Sequence, residues 1–166
     1  MHPIPLMARF NRWANERLYE CVAGLPEAER RAERGAFFGS IHRTLNHLLV
    51  VDRLWMARFE GTDAGIRTLD EVLYDDFAGL RAAREAEDQR LIALVDRLAA
   101  DDLTAPVAFR MMTAGGTHTT RRDYILITLY NHQTHHRGQV HALVTRAGVR
   151  PPPLDVIVFL GEEGVG

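Results

Sequence analysis

Residues 120–148 read TRRDYILITLYNHQTHHRGQVHALVTRAG, and this stretch decides the fold. Its apolar side chains recur every three to four positions, at Ile125, Leu129, Val140 and Leu143. This period predicts an amphipathic helix whose apolar side faces a core. Thr120 and Asp123 favour a capping box at the start, and Gly148 favours a left-handed C-cap at the end. The stretch therefore predicts one inward-facing helix of a bundle.

Two histidines, His132 and His136, fall within the apolar stripe of this helix. Residues four apart stand one above the other on a helix, so both imidazoles can reach one divalent metal ion. Buried imidazoles are costly unless their nitrogens find partners, and a metal ion satisfies one nitrogen of each ring. His135 is turned away from both, since each residue rotates the helix by about 100°. The spacing predicts half of a metal site.

A third ligand is expected from a second helix, which the apolar period predicts from Ser40 to Gly61. His42 and His47 are the candidates, and their spacing of five lets only one of them face inward. His47 shares the face of Leu48 and is the predicted ligand. No cysteine or carboxylate suggests a fourth ligand. Three histidines and one open position are typical of a catalytic metal site.

The rest of the chain predicts two more long helices, a hairpin and a short last helix. The predicted long helices are Ile4–Leu25, Ser40–Gly61, Leu73–Ala100 and Thr120–Gly148, and the short one is Asp155–Leu160. Residues 27–34 are expected to be a polar linker. Alternation at Val107, Phe109 and Met111, followed by Gly115-Gly116, predicts a β-hairpin. The pattern predicts an all-α fold, a four-helix bundle with a small β-hairpin between helices three and four, over a single domain of residues 1–166.

Composition limits the function classes. The chain has 166 residues, 46% of them hydrophobic and 25% charged, as expected of a globular protein. A net charge of -2 gives no reason to expect nucleic acid or an anionic membrane as a partner. Cys21 is the single cysteine, so no internal disulfide can form, and a reducing cytoplasm fits. We find no signal peptide pattern and no stretch of about 20 apolar residues.

Four segments carry a resemblance to a known family. They are NRWANERL at residues 11–18, TLNH at 44–47, VDRLW at 51–55 and HQTHHRGQ at 132–139. Together they resemble the DinB family, within the DinB/YfiT-like metalloenzymes. The resemblance implies a four-helix bundle with an unusual connection order, a homodimer, and a nickel or zinc ion held by three histidines. Those positions correspond to His47, His132 and His136.

The resemblance also frames the function. The superfamily includes thiol S-transferases and a mycothiol-dependent maleylpyruvate isomerase, so a small-molecule substrate and a low-molecular-weight thiol co-substrate are expected. Three hypotheses stay open: a metal-dependent transferase or hydrolase, a non-catalytic metal-binding stress protein, and a bundle that binds no metal. Asn46 and Gln139 are candidates for orienting groups near the ion, and His135 and Arg137 are further candidates for contacts behind the ligands. Arg137 is expected mainly in a surface or interface salt bridge.

Overall fold

Four long helices form the bundle: α1 (Pro3–Ala23), α3 (Ile41–Glu60), α4 (Phe77–Asp96) and α6 (Arg122–Arg146). Shorter elements join them: α2 (Glu27–Arg31), α5 (Ala100–Thr104), α7 (Val156–Glu162) and the strands β1 (Pro106–Arg110) and β2 (Thr117–Arg121). The structure, a computed structural model, describes residues 3–112 and 115–164. The predicted all-α bundle with a small hairpin is confirmed. Within those ranges no helix is both long and apolar enough to cross a membrane.

The helices follow an unusual connection order. α4 and α6 each pack between α1 and α3, which lie across the bundle from each other. Asp52 pairs with Arg84 and Glu60 pairs with Arg90, so α3 and α4 run in the same direction. Parallel neighbours cannot be joined by a tight turn. The chain therefore crosses the length of the bundle between α3 and α4, through residues 61–76, which we call the crossover.

The ends of the second and third predicted helices have clear causes. Ser40 caps α3, since its hydroxyl accepts a hydrogen bond from the Arg43 amide, and Gly61 ends it with φ 67°. Both were predicted. The third helix is shorter than the predicted Leu73–Ala100. Asp76 caps it by accepting from the Gly79 amide at 2.6 Å, because the preceding residues are docked on α3.

The hairpin is as predicted, but its second strand runs directly into the last long helix, so that helix begins later than predicted. β1 and β2 pair antiparallel, with Val107 opposite Thr120, which confirms the hairpin; residues 113 and 114 lie outside the described residues. The capping box at Thr120 is wrong, because Thr120 belongs to β2 and Arg121 is the N-cap. Gly148 has φ 83°, as the predicted left-handed C-cap requires. The predicted polar linker contains α2.

A layer of buried polar side chains crosses the middle of the bundle between apolar clusters. All four long helices contribute to this polar layer: Asn11, Asn15, Asp52, Arg84, Asp88, Gln133 and Arg137, each at most 3% exposed. Arg84 lies at the centre, 2.7 Å from an Asp52 oxygen and 3.0 Å from an Asp88 oxygen. Two arginines thus balance two aspartates, which makes burial of four charges tolerable.

Arg137 is part of this layer, and the expectation that it forms a surface or interface salt bridge is wrong, because it is buried. Its guanidinium donates to the side-chain oxygens of Asn11 and Asn15, the latter at 3.1 Å. Burial lowers the pKa of Arg137 to about 10, which leaves it charged at neutral pH. Gln133 completes the link to α3 by donating to Asp52 at 2.7 Å.

Candidate metal centre

Three imidazoles from two helices meet at one point. One ring nitrogen of each of His47, His132 and His136 lies within 4.8 Å of the others. The Nε2 atoms of His47 and His132 are 3.0 Å apart, although the residues are 85 positions apart in sequence. The ring centroids of His132 and His136 are 4.4 Å apart, as expected for i, i+4 neighbours. α3 and α6 bring together the three histidines selected from the sequence.

Hydrogen bonds at Nδ1 orient two of these rings, and the Nε2 atom of His47 faces that of His132. His47 Nδ1 lies 2.7 Å from the Leu69 carbonyl oxygen, which can only accept, so Nδ1 carries the proton. His136 Nδ1 lies 2.8 Å from Gln139 Oε1 and is likewise the donor. Both rings then present a lone pair at Nε2. Histidine ligands of metals are commonly oriented by such contacts.

The site keeps its histidines neutral. Burial, and the neighbouring imidazoles His136 and His47, lower the pKa of His132 to about 3. Burial also lowers the pKa of His47 and of His136. His132 Nδ1 is buried with no hydrogen-bond partner among the described residues. A histidine must be neutral to bind a metal ion, because the ion takes the lone pair of a ring nitrogen. These histidines are already neutral at pH 7, so no proton has to leave first.

Two members of the histidine cluster, His47 and His136, line an open pocket of about 880 Å³. Its walls come from the segment before α3, from α3 itself, from the crossover and from α6. The lining residues include Phe37, Phe38, Arg43, Leu69, Asp70, His135 and Gln139. The Phe38 ring stacks on the His47 ring with centroids 3.9 Å apart. Phe37 is 86% exposed at the mouth. A small molecule can therefore reach the face of the cluster.

The other histidines lie outside the cluster. His42 is buried, but its Nε2 lies 3.0 Å from the Tyr74 carbonyl oxygen, under the crossover. His135 is exposed and accepts a hydrogen bond from Gln139 Nε2 at 3.2 Å. His118 is exposed on β2, and His141 Nε2 lies 3.2 Å from the Pro152 carbonyl oxygen. His2 lies outside the described residues.

Sequence reasoning missed the backbone of the crossover as part of the site. A carbonyl oxygen such as that of Leu69 has no residue-type signal, so no pattern could single it out. Asn46 and Gln139 were candidates for orienting roles. Gln139 does contact a cluster histidine, while Asn46 bonds the crossover instead. Asp52, on the same helix as His47, lies in the polar layer and adds no fourth group to the cluster.

The protein is a four-helix bundle in which two helices bring three histidines together beside a pocket. The DinB family profile matches residues 2–163, and the chain belongs to the DinB family. It is 27% identical over 158 residues to Protein DinB of Bacillus subtilis (strain 168), covering 91% of this chain and 90% of that protein.

A solved structure shares the fold. The crystal structure of a DinB-like protein from Bacillus cereus ATCC 10987 matches with a TM-score of 0.65 at 20% identity. The match covers 85% of this chain and 90% of that chain. At this identity the likeness concerns the fold alone.

If the cluster binds zinc, replacing Gln139 with alanine should weaken that binding by about tenfold, because His136 would lose the acceptor that holds its Nδ1 proton. Competition against a chromophoric chelator measures the affinity. Gln139→Glu is the matched control, since a carboxylate oxygen can accept the same hydrogen bond. An alanine variant with wild-type affinity would show that packing alone orients His136.

Proposed function

We propose that the protein is a metal-dependent enzyme in which His47, His132 and His136 hold one zinc or nickel ion. The observation that carries the proposal is the convergence of three neutral imidazoles, two of which line an open pocket. A structural site would be closed by four protein ligands. Here the pocket beside His47 and His136 can admit a substrate group.

The donor set fits such an ion. Zinc lies about 2.0–2.1 Å from histidine nitrogen, so two nitrogens on a tetrahedral ion are about 3.3 Å apart. The 3.0 Å between His47 Nε2 and His132 Nε2 needs little adjustment to reach that value. Imidazole ligands suit zinc and nickel alike.

The chemistry we propose is thiol S-transfer or hydrolysis on a small molecule. When bound, the ion would lower the pKa of a water or thiol ligand and supply a nucleophile near neutral pH. Leu69 and Gln139 hold the imidazoles in the required tautomer. Phe37 and Phe38 offer an apolar wall, while Arg43 and Asp70 place opposite charges on the pocket. We further propose a cytoplasmic homodimer.

Two measurements on untagged protein test the proposal. Equilibrium dialysis should give one tightly bound zinc or nickel per chain. The loaded protein should then transfer a low-molecular-weight thiol to an electrophilic acceptor, or hydrolyse an activated ester, and lose that activity with chelator. Substoichiometric binding would contradict the metal proposal. Stoichiometric metal without turnover, together with failure of free thiols to perturb the spectrum of a cobalt-loaded site, would favour a non-catalytic metal protein.

A further inference from the structure

The crossover has no helix or strand of its own, yet it holds a ligand in place. Its Leu69 carbonyl accepts the Nδ1 proton of His47 at 2.7 Å. A loop backbone that must stay fixed to a few tenths of an ångström needs anchors elsewhere, because unpaired backbone moves freely. The anchors of the crossover are therefore part of the geometry of the site.

The main anchor is Asn46, which is fully buried on α3. Its Oδ1 accepts from the Tyr74 amide at 3.0 Å, and its Nδ2 donates to the Tyr74 carbonyl oxygen at 3.2 Å. The side-chain amide thus satisfies both backbone groups of Tyr74, as a neighbouring strand would. Nδ2 also lies 3.1 Å from the His42 carbonyl oxygen, which fixes the Asn46 side chain against its own helix.

Other residues complete the anchor at Tyr74. His42 Nε2 lies 3.0 Å from the Tyr74 carbonyl oxygen. Arg53 donates to the Tyr74 hydroxyl at 3.0 Å, with its guanidinium carbon 5.3 Å from the ring centroid. Between Tyr74 and Leu69, Glu71 closes a tight turn by accepting from the Thr68 amide at 2.9 Å. Residues 69–74 are therefore held at Tyr74 by Asn46 and at Leu69 by the hydrogen bond to His47, with the Glu71 turn between them.

We propose that Asn46 is a positioning residue of the metal centre. By holding Tyr74 on α3 it keeps the Leu69 carbonyl against His47 Nδ1, and so keeps His47 Nε2 directed at the other two histidines. The inference rests on the proposed function insofar as it takes His47 as a metal ligand. Asn46 directly precedes His47 on α3, but Asn46 orients the His47 ring through the crossover and not by a hydrogen bond to that ring.

The test compares Asn46→Ala with Thr44→Val. Both changes remove a buried polar group from α3, but the Thr44 hydroxyl donates only within the helix, to the Ser40 carbonyl oxygen. Asn46→Ala should lower zinc affinity by about ten- to a hundredfold, as loss of an orienting contact does. It should also change the visible spectrum of the cobalt-loaded protein and speed amide exchange in residues 67–74. Thr44→Val should keep wild-type affinity and spectrum.

Wild-type affinity and an unchanged cobalt spectrum in a folded Asn46→Ala protein would overturn the inference. If that variant does not fold, Asn46→Asp serves in its place, since it retains the acceptor for the Tyr74 amide and loses the donor. We expect it to lose part of the affinity; unchanged affinity would overturn the inference.

A second readout needs no metal. In the metal-free protein, ¹⁵N NMR of the imidazoles should show His47 protonated at Nδ1 in the wild type and a mixture of tautomers in Asn46→Ala. An unchanged His47 tautomer in a folded variant would overturn the role of Asn46 whether or not zinc binds. A wild-type protein that binds no zinc, but shows the tautomer change, would contradict the proposed function and leave the positioning role of Asn46 supported.

Discussion

Replacing His132 with alanine should abolish stoichiometric zinc binding at micromolar metal. Structural zinc sites bind with about 10–16 kcal/mol from four ligands, so one ligand contributes about 3 kcal/mol, or at least a hundredfold in affinity. The change also removes the imidazole whose Nε2 lies closest to that of His47. Equilibrium dialysis with elemental analysis measures the effect, and circular dichroism verifies the helices.

The matched control for this experiment is His141→Ala. His141 is on the same helix, but its ring contacts the Pro152 carbonyl oxygen, away from the cluster. We expect one zinc per chain in this variant. Full occupancy in His132→Ala, or equal loss in both variants, would show that the cluster is not the metal site.

Replacing Arg84 with methionine should lower the free energy of unfolding by about 3–5 kcal/mol, because it leaves Asp52 and Asp88 buried without their main counter-charge. Arg84 is 1% exposed and within 3.0 Å of both carboxylates. Urea unfolding of the metal-free protein measures the loss and separates it from any effect of the ion.

Two controls isolate the charge effect at Arg84. Arg81→Met removes an arginine of the same helix whose partners are exposed, and we expect a change below about 1 kcal/mol. Adding Asp88→Asn to Arg84→Met should recover part of the stability, because it removes one of the uncompensated carboxylates. A loss below about 1 kcal/mol in Arg84→Met would contradict the stabilising role of the layer.

The long helices could be predicted from the sequence because their apolar period is local information. The start of α4 could not, since residues 73–76 continue the apolar pattern but are held against α3, where Asn46 accepts a hydrogen bond from the Tyr74 amide. Thr120 failed as a cap for a related reason. Pairing with Val107 placed it in a strand, so a tertiary contact overrode its local preference.

The clustering of His47, His132 and His136 could be predicted because helical spacing gives the direction of each imidazole. The polar layer could not be predicted by the same logic. Arg84, Asp88 and Arg137 carry the charges usually found on a surface, and only their pairing across three helices makes their burial tolerable. Charged residues at the centre of a helix can be either exposed or buried, and the sequence does not decide between the two until the neighbouring helices are known.

The two faces of α6 have a consequence for which residues of this protein can be replaced. Gln133 and Arg137 directly follow His132 and His136 in the sequence, yet they lie in the polar layer, while His132 belongs to the histidine cluster and His136 also borders the pocket. The pocket walls at Phe37, Phe38 and Asp70 lie on connecting segments that take no part in that layer. Substitutions at these wall positions should therefore change the shape and charge of the pocket without lowering the stability of the bundle and without moving the three histidines.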